Sequence, residues 1–398
     1  MSFLSNIASA FKGGGRTIVP LARGFTSPWA TSFDGGSRRA PFDYGNAVKR
    51  SFVENPIAQR AVRIVAEGVG SAPLACSHDA VGELVGTSSA GQSLVETLAM
   101  HLLLHGNGFV QIMKDASGQP AELFALRPER VSVIAGVDGW PSAYAYRLAD
   151  RTLTIPLEDE AGWPNIIHLK SLHPADDHYG AGNLAAAQQA VAIHNAASEW
   201  NRALLENAAR PSGALVFAAN GSNGADALTT EQFDRLKAEL SAAYGGQANA
   251  GRPMLLEGGL DWKTMSMSPT DMDFATLKAA AARDIALAFG VPPMLLGLPG
   301  DNTYANYREA NRALWRLTLL PLADKLLGGL QQGLSDWFGD ISLSVELDRI
   351  AALSEDRERL WSQVSSADFL SVAEKRAMLG LDPLGPDAIG TNEKGESQ

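Results

Sequence analysis

Apolar and polar positions between Ser268 and Phe338 recur at helical spacing, and they predict two helices joined by a loop rich in proline and glycine. In the first helix, Ser268 is a candidate N-cap and Gly290 a candidate left-handed terminator. The apolar positions of this helix step by three and four residues, which places them on one face. They are Phe274, Leu277, Ala281, Ile285 and Ala288.

A longer second helix is predicted from Asn306, with Glu309 three residues on as the partner in a capping box. Leucines at helical spacing continue the pattern at Leu314, Leu317, Leu326, Leu330 and Leu334. Pro321 interrupts this helix. Because proline lacks an amide hydrogen and its ring collides with the preceding turn, we expect a kink between Leu317 and Pro321.

The pattern upstream of this pair mixes helices with short strands. Helices are predicted from Asn55 to Val69 and from Ser93 to His105. Alternation with a period of two then predicts strands. They cover Phe109–Met113, Leu123–Leu126, Val131–Ala135, Tyr144–Leu148, Arg151–Pro156 and Ile166–Leu169. Short strands with packing helices indicate an α+β fold.

A long alanine-rich helix is predicted from Gly180–Asn183 to about Ala208, since alanine favours helix and permits close packing. Its buried stripe is expected at Ala186, Ala190, Ile193, Ala197, Trp200 and Leu204. A small insertion separates this helix from the helix pair. The insertion contains a predicted strand at Ala214–Phe217, a helix at Thr229–Tyr244 and a strand at Arg252–Glu257.

The C-terminal part of the chain is predicted to hold one strand and two short helices. Ile341–Leu347 alternates with the period of a strand. Glu355–Val364 and Val372–Leu379 are predicted as helices, and the polar terminus from Gly390 is predicted to be disordered.

Composition narrows the range of functions. The chain of 398 residues carries a formal net charge of −11, from 33 basic and 44 acidic side chains. Tight binding of a DNA backbone needs a basic patch, because phosphate neutralisation supplies most of the non-specific affinity. The charge therefore argues against a tight DNA binder. The single cysteine, Cys76, excludes an intramolecular disulfide and a multi-cysteine zinc site.

Targeting and membrane signals are not evident in the sequence. Residues 1–15 lack the charged and apolar regions of a secretory signal. The longest apolar runs fall far below the length that crosses a bilayer. We therefore expect no membrane partner.

Common catalytic signatures are also missing. The sequence contains no phosphate-binding loop, no nucleophile elbow and no dinucleotide fingerprint opening a helix. We therefore expect a protein that is not an enzyme and that uses no cofactor or metal. His101 and His105 share a helical face, but the glutamate of a zinc protease motif is missing, so packing or capping near Gly106 is the preferred interpretation.

The most enzyme-like segment lies between His168 and His178. Its imidazoles, together with the carboxylates of Asp176 and Asp177, could hold a divalent cation with one position left for water. A metal-dependent hydrolase around His173 and His178 is therefore an alternative function. The other interpretation is a polar loop between a strand and the alanine-rich helix.

A basic stripe is predicted on the second helix of the pair. Arg308, Arg312 and Arg316 recur every four residues and share one face. They could contact passing phosphates or pair with acidic groups of a neighbouring subunit. The pattern leaves both possibilities open.

Several strings of this sequence resemble the portal proteins of tailed phages. The most specific is Arg283–Gly297, which reads RDIALAFGVPPMLLG, and it is followed by Tyr304–Glu309 and Leu320–Leu322. The order of elements agrees, because two long helices bracket a small strand–helix–strand unit. The resemblance extends from about Asn55 to Leu347.

The resemblance implies a structural function. Portal proteins form a ring, here expected to be a dodecamer, through which double-stranded DNA is packaged and ejected. The implied partners are the terminase large subunit, a head–tail adaptor and the major capsid protein. The implied location is the capsid vertex of a virion or phage-like particle, assembled in the bacterial cytoplasm. The compact chain would also suit a gene transfer agent.

The resemblance also implies a portal fold with a mixed α/β wing, a two-helix stem, a clip, a long kinked helix and a helical crown. The implied regions are an N-terminal arm, partly disordered (1–54), the wing (55–183), two stem helices (184–211 and 268–291), the clip (212–267), the tunnel loop (292–305), the kinked helix and a wing strand (306–350), the crown (351–390) and a disordered tail (391–398). The tunnel-loop residues expected to face DNA are Leu298, Gly300, Asp301, Asn302 and Thr303. A soluble oligomeric scaffold without DNA passage remains a second alternative.

Overall fold

The computed structural model describes residues 43–89, 91–206, 274–299 and 303–381, and short stretches at 17–19, 213–217, 230–231, 234–235, 237–238 and 260–264. The labelled helices are α1 Tyr44–Val48, α2 Pro56–Gly70, α3 Asp79–Val85, α4 Leu94–Leu104, α5 Asn183–Glu206, α6 Phe274–Ala288, α7 Tyr304–Leu314, α8 Leu320–Phe338, α9 Ser354–Ser365 and α10 Val372–Leu379. The strands are β1 Thr17–Val19, β2 Leu74–Cys76, β3 Ser88–Ser89, β4 Gln92–Ser93, β5 Asn107–Lys114, β6 Pro120–Leu126, β7 Val131–Ala135, β8 Pro141–Leu148, β9 Arg151–Pro156, β10 Ile166–Lys170, β11 Gly213–Phe217, β12 Leu260–Thr264 and β13 Leu343–Val345.

The first helices begin where local capping chemistry predicts. The Asn55 side chain accepts hydrogen bonds from the first backbone amides of α2, and Pro56 occupies its first turn. Ser93 accepts from the amide of Glu96 over 3.0 Å and so caps α4. The predicted helices at these positions are confirmed.

Two antiparallel sheets contain most of the strands. One has the strand order β1–β7–β8–β9 and the other the order β10–β5–β6. In the second sheet, His168 of β10 lies opposite Phe109 of β5. The alternating segments of the sequence are therefore strands, and the α+β class is confirmed.

Strand β13 pairs with β2, so that Leu343 lies opposite Cys76 and Val345 opposite Leu74. The alternation of Ile341–Leu347 predicted a strand there but could not indicate its partner. This pairing brings the chain that follows α8 back to the end of α2. Segments that follow α2 and α8 are thereby held together in one two-stranded sheet.

The main core lies between α2, α4, α8 and strand β10. Three leucines of α8 that the sequence placed on the buried face, Leu326, Leu330 and Leu334, are fully buried. Two glycines of α8 allow β10 to approach closely. A Cβ at Gly329 would lie 2.1 Å from a methyl carbon of Leu169, and a Cβ at Gly333 would lie 2.4 Å from Ile167.

Other apolar stripes are only partly as expected. On α6, Ala281 and Ile285 are buried, but Leu277 is 45% exposed. Leu317, placed on the buried face of the second helix, is 78% exposed. Both positions follow a helical period, yet no element of the same described chain covers them. The side chain of Phe274 lies outside the described residues.

The predicted stripe of α5 is correct at Ala197, which is buried, and at Ala190, which packs partly buried against the core, but it is wrong at Ala186 and Trp200. The buried side chains are Leu184, Ala187, Val191, His194 and Ala197. Ala186 is exposed and Trp200 is 44% exposed. An alanine-rich helix offers little size contrast between its faces. The buried His194 has a polar partner, because its Nδ1 atom lies 3.1 Å from the side-chain Nδ2 atom of Asn55, and the period of α5 does not reveal this contact.

Part of the predicted N-terminal arm is helical. Helix α1 continues into a π-helical turn at Lys49–Val53. Ala47 and Ser51 are buried, and the Ser51 hydroxyl donates to the carbonyl oxygen of Ala47 over 2.7 Å. The sequence pattern did not predict this segment.

Some predicted features lie outside the described residues. They are the cap at Ser268, the strand at Arg252–Glu257, most of the helix at Thr229–Tyr244, loop residues 300–302 and the tail 391–398. Strand β11 confirms the strand predicted at Ala214–Phe217, and its partner is β12. Among the described helices, none is long and apolar enough to cross a membrane.

Candidate functional site

Helices α5 and α6 pack against each other as an antiparallel pair. The Asn183 side chain, at the first residue of α5, donates from Nδ2 to the carbonyl oxygen of Ala288 over 2.8 Å. Ala288 is the last residue of α6, so this bond joins the start of one helix to the end of the other. It satisfies a carbonyl that has no partner within its own helix.

Gly290 ends α6 in the predicted left-handed conformation, with φ of +67°. The amide of Val291 reaches back to the carbonyl of Ala286 over 2.9 Å, which closes the helix end. The carbonyl of Gly290 accepts a hydrogen bond of 2.6 Å from the hydroxyl of Thr318. The end of α6 is thereby attached to the middle of the long helix.

The loop that follows is ordered by its own turns as far as Pro299. Pro293–Leu296 forms a 3₁₀ turn, and Gly297 follows with φ of +72°. Arg283 of α6 donates from Nη2 to the carbonyl oxygen of Pro299 over 2.9 Å. Leu298, directly before Pro299 in this loop, is partly buried.

The second helix begins earlier than the sequence suggested. Thr303, not Asn306, is the N-cap, and its hydroxyl oxygen accepts from the amide of Asn306 over 3.2 Å. The capping box of Asn306 with Glu309 is therefore wrong. Threonine is also a favoured N-cap, and its place directly before Tyr304 was the signal that the prediction passed over. Gly300, Asp301 and Asn302 lie outside the described residues.

A π-helical turn at Trp315–Leu319 separates α7 from α8, directly before Pro321. The amide of Leu320 donates to the carbonyl of Trp315, five residues back. In a regular α-helix, the ring of Pro321 would collide with the carbonyl of Leu317. The wider turn relieves this collision, so the irregularity stands where proline chemistry demands it. The bend of the helix axis itself stays a prediction.

Two of the three stripe arginines have acidic partners in the same chain. Glu355, in the first turn of α9, accepts from Arg308 Nη1 with one carboxylate oxygen and from Arg312 Nη2 with the other, each over 2.7 Å. Arg312 also contacts Glu309 at 3.0 Å and Asp356 at 3.4 Å. The sequence did not anticipate these partners, because 43 and 47 residues separate Glu355 from the two arginines.

The charge environment of this cluster is acidic. The hydrogen bond to Glu355, followed by the charges of Asp356 and Glu309, raises the pKa of Arg312. Arg316, the third member of the stripe, is exposed. Contact of any of the three arginines with DNA or another subunit stays a prediction.

The histidine-bearing loop before α5 is a structural turn in the described chain. The Asp176 carboxylate accepts from the amides of His178 and Tyr179 over 2.8 and 2.9 Å. The Nδ1 atom of His173 accepts from the amide of Ala175. Tyr179 is buried, and its hydroxyl oxygen accepts from the amide of Val133. Among the described residues, no group of three or more His, Cys, Asp or Glu side chains could hold a metal ion.

A buried polar network surrounds Asn107 at the start of β5. Its side-chain Oδ1 atom accepts from the backbone amide of Gly180 over 2.8 Å and from Nε2 of His168 over 3.1 Å. Its amide nitrogen donates to Nδ1 of His105 over 3.2 Å. His168 also stacks on the ring of Phe109. The network ties β5 and β10 to the segment that leads into α5.

Burial lowers the pKa of the histidines in this region. The pKa of His168 falls to about 3, mainly through burial and then through the charge of Lys170. Burial likewise lowers the pKa of His101 and of His105 to about 4. These imidazoles are therefore neutral packing groups at physiological pH, as the packing interpretation of His101 and His105 expected.

The fold and the site define an α+β protein built around α6 and the long helix α7–α8. The polar side-chain clusters described above hold the backbone and the core in place. The sequence profile of the phage portal protein family matches residues 56–380. The chain belongs to this family, and the resemblance inferred from the Arg283–Gly297 string is confirmed.

Relatives and solved structures agree with this assignment. A protein of Rickettsia bellii with no described function is 39% identical over 360 residues, which cover 85% of this chain and 91% of that protein. A chain from the virion of a native gene transfer agent particle is 45% identical, with a TM-score of 0.66, and the match covers 91% of this chain and all of the other. A chain from the neck of a native gene transfer agent particle, computed with C12 symmetry, is also 45% identical, with a TM-score of 0.66 over 91% of this chain and 99% of the other.

Proposed function

We propose that copies of this chain assemble head-to-tail into a closed ring, a dodecamer, that serves as the portal of a phage or gene transfer agent particle. The observation that carries the proposal is the 45% identity, over 91% of the chain, to a neck component computed with C12 symmetry. A heterologous interface forms a ring when its rotation closes. Leu277 of α6 and Leu317 of the π-helical turn are exposed in the single chain and would be available to a neighbouring copy.

The proposed function is mechanical, not catalytic. Double-stranded DNA passes through the axial channel during packaging and ejection, and α5 and α6 line or support that channel as the stem. The β-rich region before α5 is the wing, the segment of β11 and β12 is the clip, and α9 and α10 form the crown. The Asp176 turn and the neutral histidines around Asn107 support this interpretation over a hydrolase, because their side chains hold backbone and core.

The loop between α6 and α7 is proposed to reach the channel as the tunnel loop. Arg283 holds its first arm at Pro299, and Thr303 caps the helix at its other end. Leu298, Gly300, Asp301, Asn302 and Thr303 are the residues proposed to face DNA. Acidic and neutral side chains suit this place, since a conduit works best with low affinity for phosphate.

The partners follow from the ring. The clip would face the terminase large subunit during filling and a head–tail adaptor afterwards, and the wing would meet the major capsid protein. Assembly in the bacterial cytoplasm and a place at the particle vertex complete the proposal.

Native mass spectrometry and electron microscopy of the purified chain test the proposal. The expected result is one closed oligomer of twelve copies with a central hole wide enough for a DNA duplex. Small open oligomers would support a scaffold without DNA passage and overturn the ring. Stoichiometric bound metal with hydrolytic activity would instead support the hydrolase.

A further inference from the structure

The arginines of α7 carry the chemistry that binds DNA phosphates. A guanidinium group presents a fork of N–H donors that matches a phosphate, and Arg308 is 48% exposed at its side chain. Arginines spaced by four residues form one face of a helix, along which a duplex backbone could lie. Such a face on a conduit would hold the DNA that has to slide past it.

The structure shows these donors already engaged by carboxylates. Glu355 bridges Arg308 and Arg312 with its two oxygens, one for each guanidinium group. Glu309 lies 3.0 Å from Nη1 of Arg312, and Asp356 lies 3.4 Å from its Nε as an ion pair without a hydrogen bond. The Arg312 side chain is only 14% exposed. Two guanidinium groups therefore face three carboxylates, and the local charge repels phosphate.

The location of the acidic partners gives this arrangement a second feature. Glu355 and Asp356 both lie in the first turn of α9, where the helix dipole stabilises negative charge. Exposed ion pairs stabilise a fold only slightly, and these carboxylates are partly exposed. Stability alone is therefore a weak reason for a cluster with an excess of acid.

We propose that Glu355 and Asp356 mask Arg308 and Arg312 from the phosphates of passing DNA, so that this surface does not grip the duplex. The inference rests on the proposed portal function. It identifies a latent phosphate-binding site on α7 and the two residues of α9 that keep it closed.

The test is the affinity of assembled rings for a short DNA duplex, measured by fluorescence anisotropy at several salt concentrations. The masked site predicts that the E355Q/D356N ring binds more tightly than the unsubstituted ring at low salt. Two unmasked phosphate contacts would make affinity fall by an additional factor of roughly ten between about 50 and about 200 mM salt. Adding R308Q and R312Q to that variant should abolish the gain.

Two further variants control the result. E122Q/E160Q removes the same charge from exposed carboxylates elsewhere and should leave affinity near that of the unsubstituted ring. R308Q/R312Q on its own should not raise affinity, because it removes the cations and leaves three carboxylates unpaired. Equal affinity of E355Q/D356N and the unsubstituted ring, or a gain that persists when R308Q and R312Q are added to E355Q/D356N, would overturn the inference. Rings that fail to form in the unsubstituted protein would instead count against the portal function.

Discussion

Thr318 donates its hydroxyl to the carbonyl oxygen of Gly290 over 2.6 Å, although 28 residues separate them in the chain. Gly290 is the left-handed terminator of α6, and Thr318 lies in the π-helical turn before Pro321. A Cβ at Gly290 would lie 2.8 Å from the Thr318 hydroxyl oxygen. The left-handed end of α6 and the π-helical turn before α8 are therefore in direct contact, and the conformation of each depends on the other.

Substitution of Gly290 by alanine should destabilise the protein by more than its backbone conformation alone requires. A left-handed alanine costs about 1–2 kcal/mol, and overpacking against Thr318 should add about 1–3 kcal/mol. Gly297→Ala is the matched control, since Gly297 has φ of +72° but no atom within 4 Å of an added Cβ. Denaturant unfolding of both variants measures the difference. Equal losses would mean that Thr318 moves aside freely.

Pro321→Ala should return the π turn to a regular α-helical register. Alanine supplies the missing amide for the carbonyl of Leu317, and proline in a helix interior costs about 3 kcal/mol relative to alanine. Because proline also restricts the unfolded chain, the expected net gain in stability is about 1–2 kcal/mol. Amide hydrogen exchange should show new protection at residue 321. A persistent π turn would mean that the packing of Thr318 and Leu319 holds it.

Asn107→Ala should be strongly destabilising because Asn107 is 1% exposed and bonds to Gly180, His168 and His105. Its removal leaves buried donors without acceptors, at about 1–3 kcal/mol for each group. A total loss of about 2–5 kcal/mol is expected in thermal or denaturant unfolding. Asn46→Ala, which removes an exposed contact to Asp43, serves as the control and should change stability by less than about 0.5 kcal/mol.

Stability should fall as the pH is lowered from about 6.5 toward about 4. Burial lowers the pKa of His101 and His105 to about 4 and that of His168 to about 3, whereas an unfolded histidine has a pKa near 6.5. Between those values the unfolded chain binds more protons, so the free energy of unfolding rises with pH. The stabilising contribution of these neutral histidines is fully present above about pH 6.5 and is lost progressively as the pH falls below that value. Chemical denaturation across this range measures the slope.

His101→Leu separates one contribution to that slope. The Nδ1 atom of His101 is buried without a hydrogen-bond partner in the described structure, so leucine should raise stability by about 1 kcal/mol at neutral pH. The pH dependence should become shallower, because one group no longer titrates. An unchanged slope would show that His101 does not contribute to acid sensitivity.

Helical periodicity predicted where helices occur more reliably than which face of each helix is buried. The leucines of α8 are buried as expected, because α8 carries large residues on one face and polar residues on the other. On α5 two of the expected positions, Ala186 and Trp200, are exposed, whereas Ala197 is buried as expected. Alanine on both faces leaves the choice to contacts such as that between His194 and Asn55. Leu317 follows the same helical spacing as the buried leucines but is exposed. Spacing along one helix does not reveal whether another element of the chain covers that face.

The sequence by itself determined most of the longer helices, strands β5 to β11 and β13, the stop at Gly290, the irregular turn near Pro321 and, through the Arg283–Gly297 string, the family. These features depend on backbone conformation and capping within a few residues, which local chemistry decides. Only the tertiary structure decided that β13 pairs with β2 and that Glu355 bridges Arg308 and Arg312. It also decided that the Asn107 side chain accepts hydrogen bonds from Gly180 and His168. Each of these contacts joins residues far apart in the chain, and each exists because packing of the whole fold brings two surfaces together.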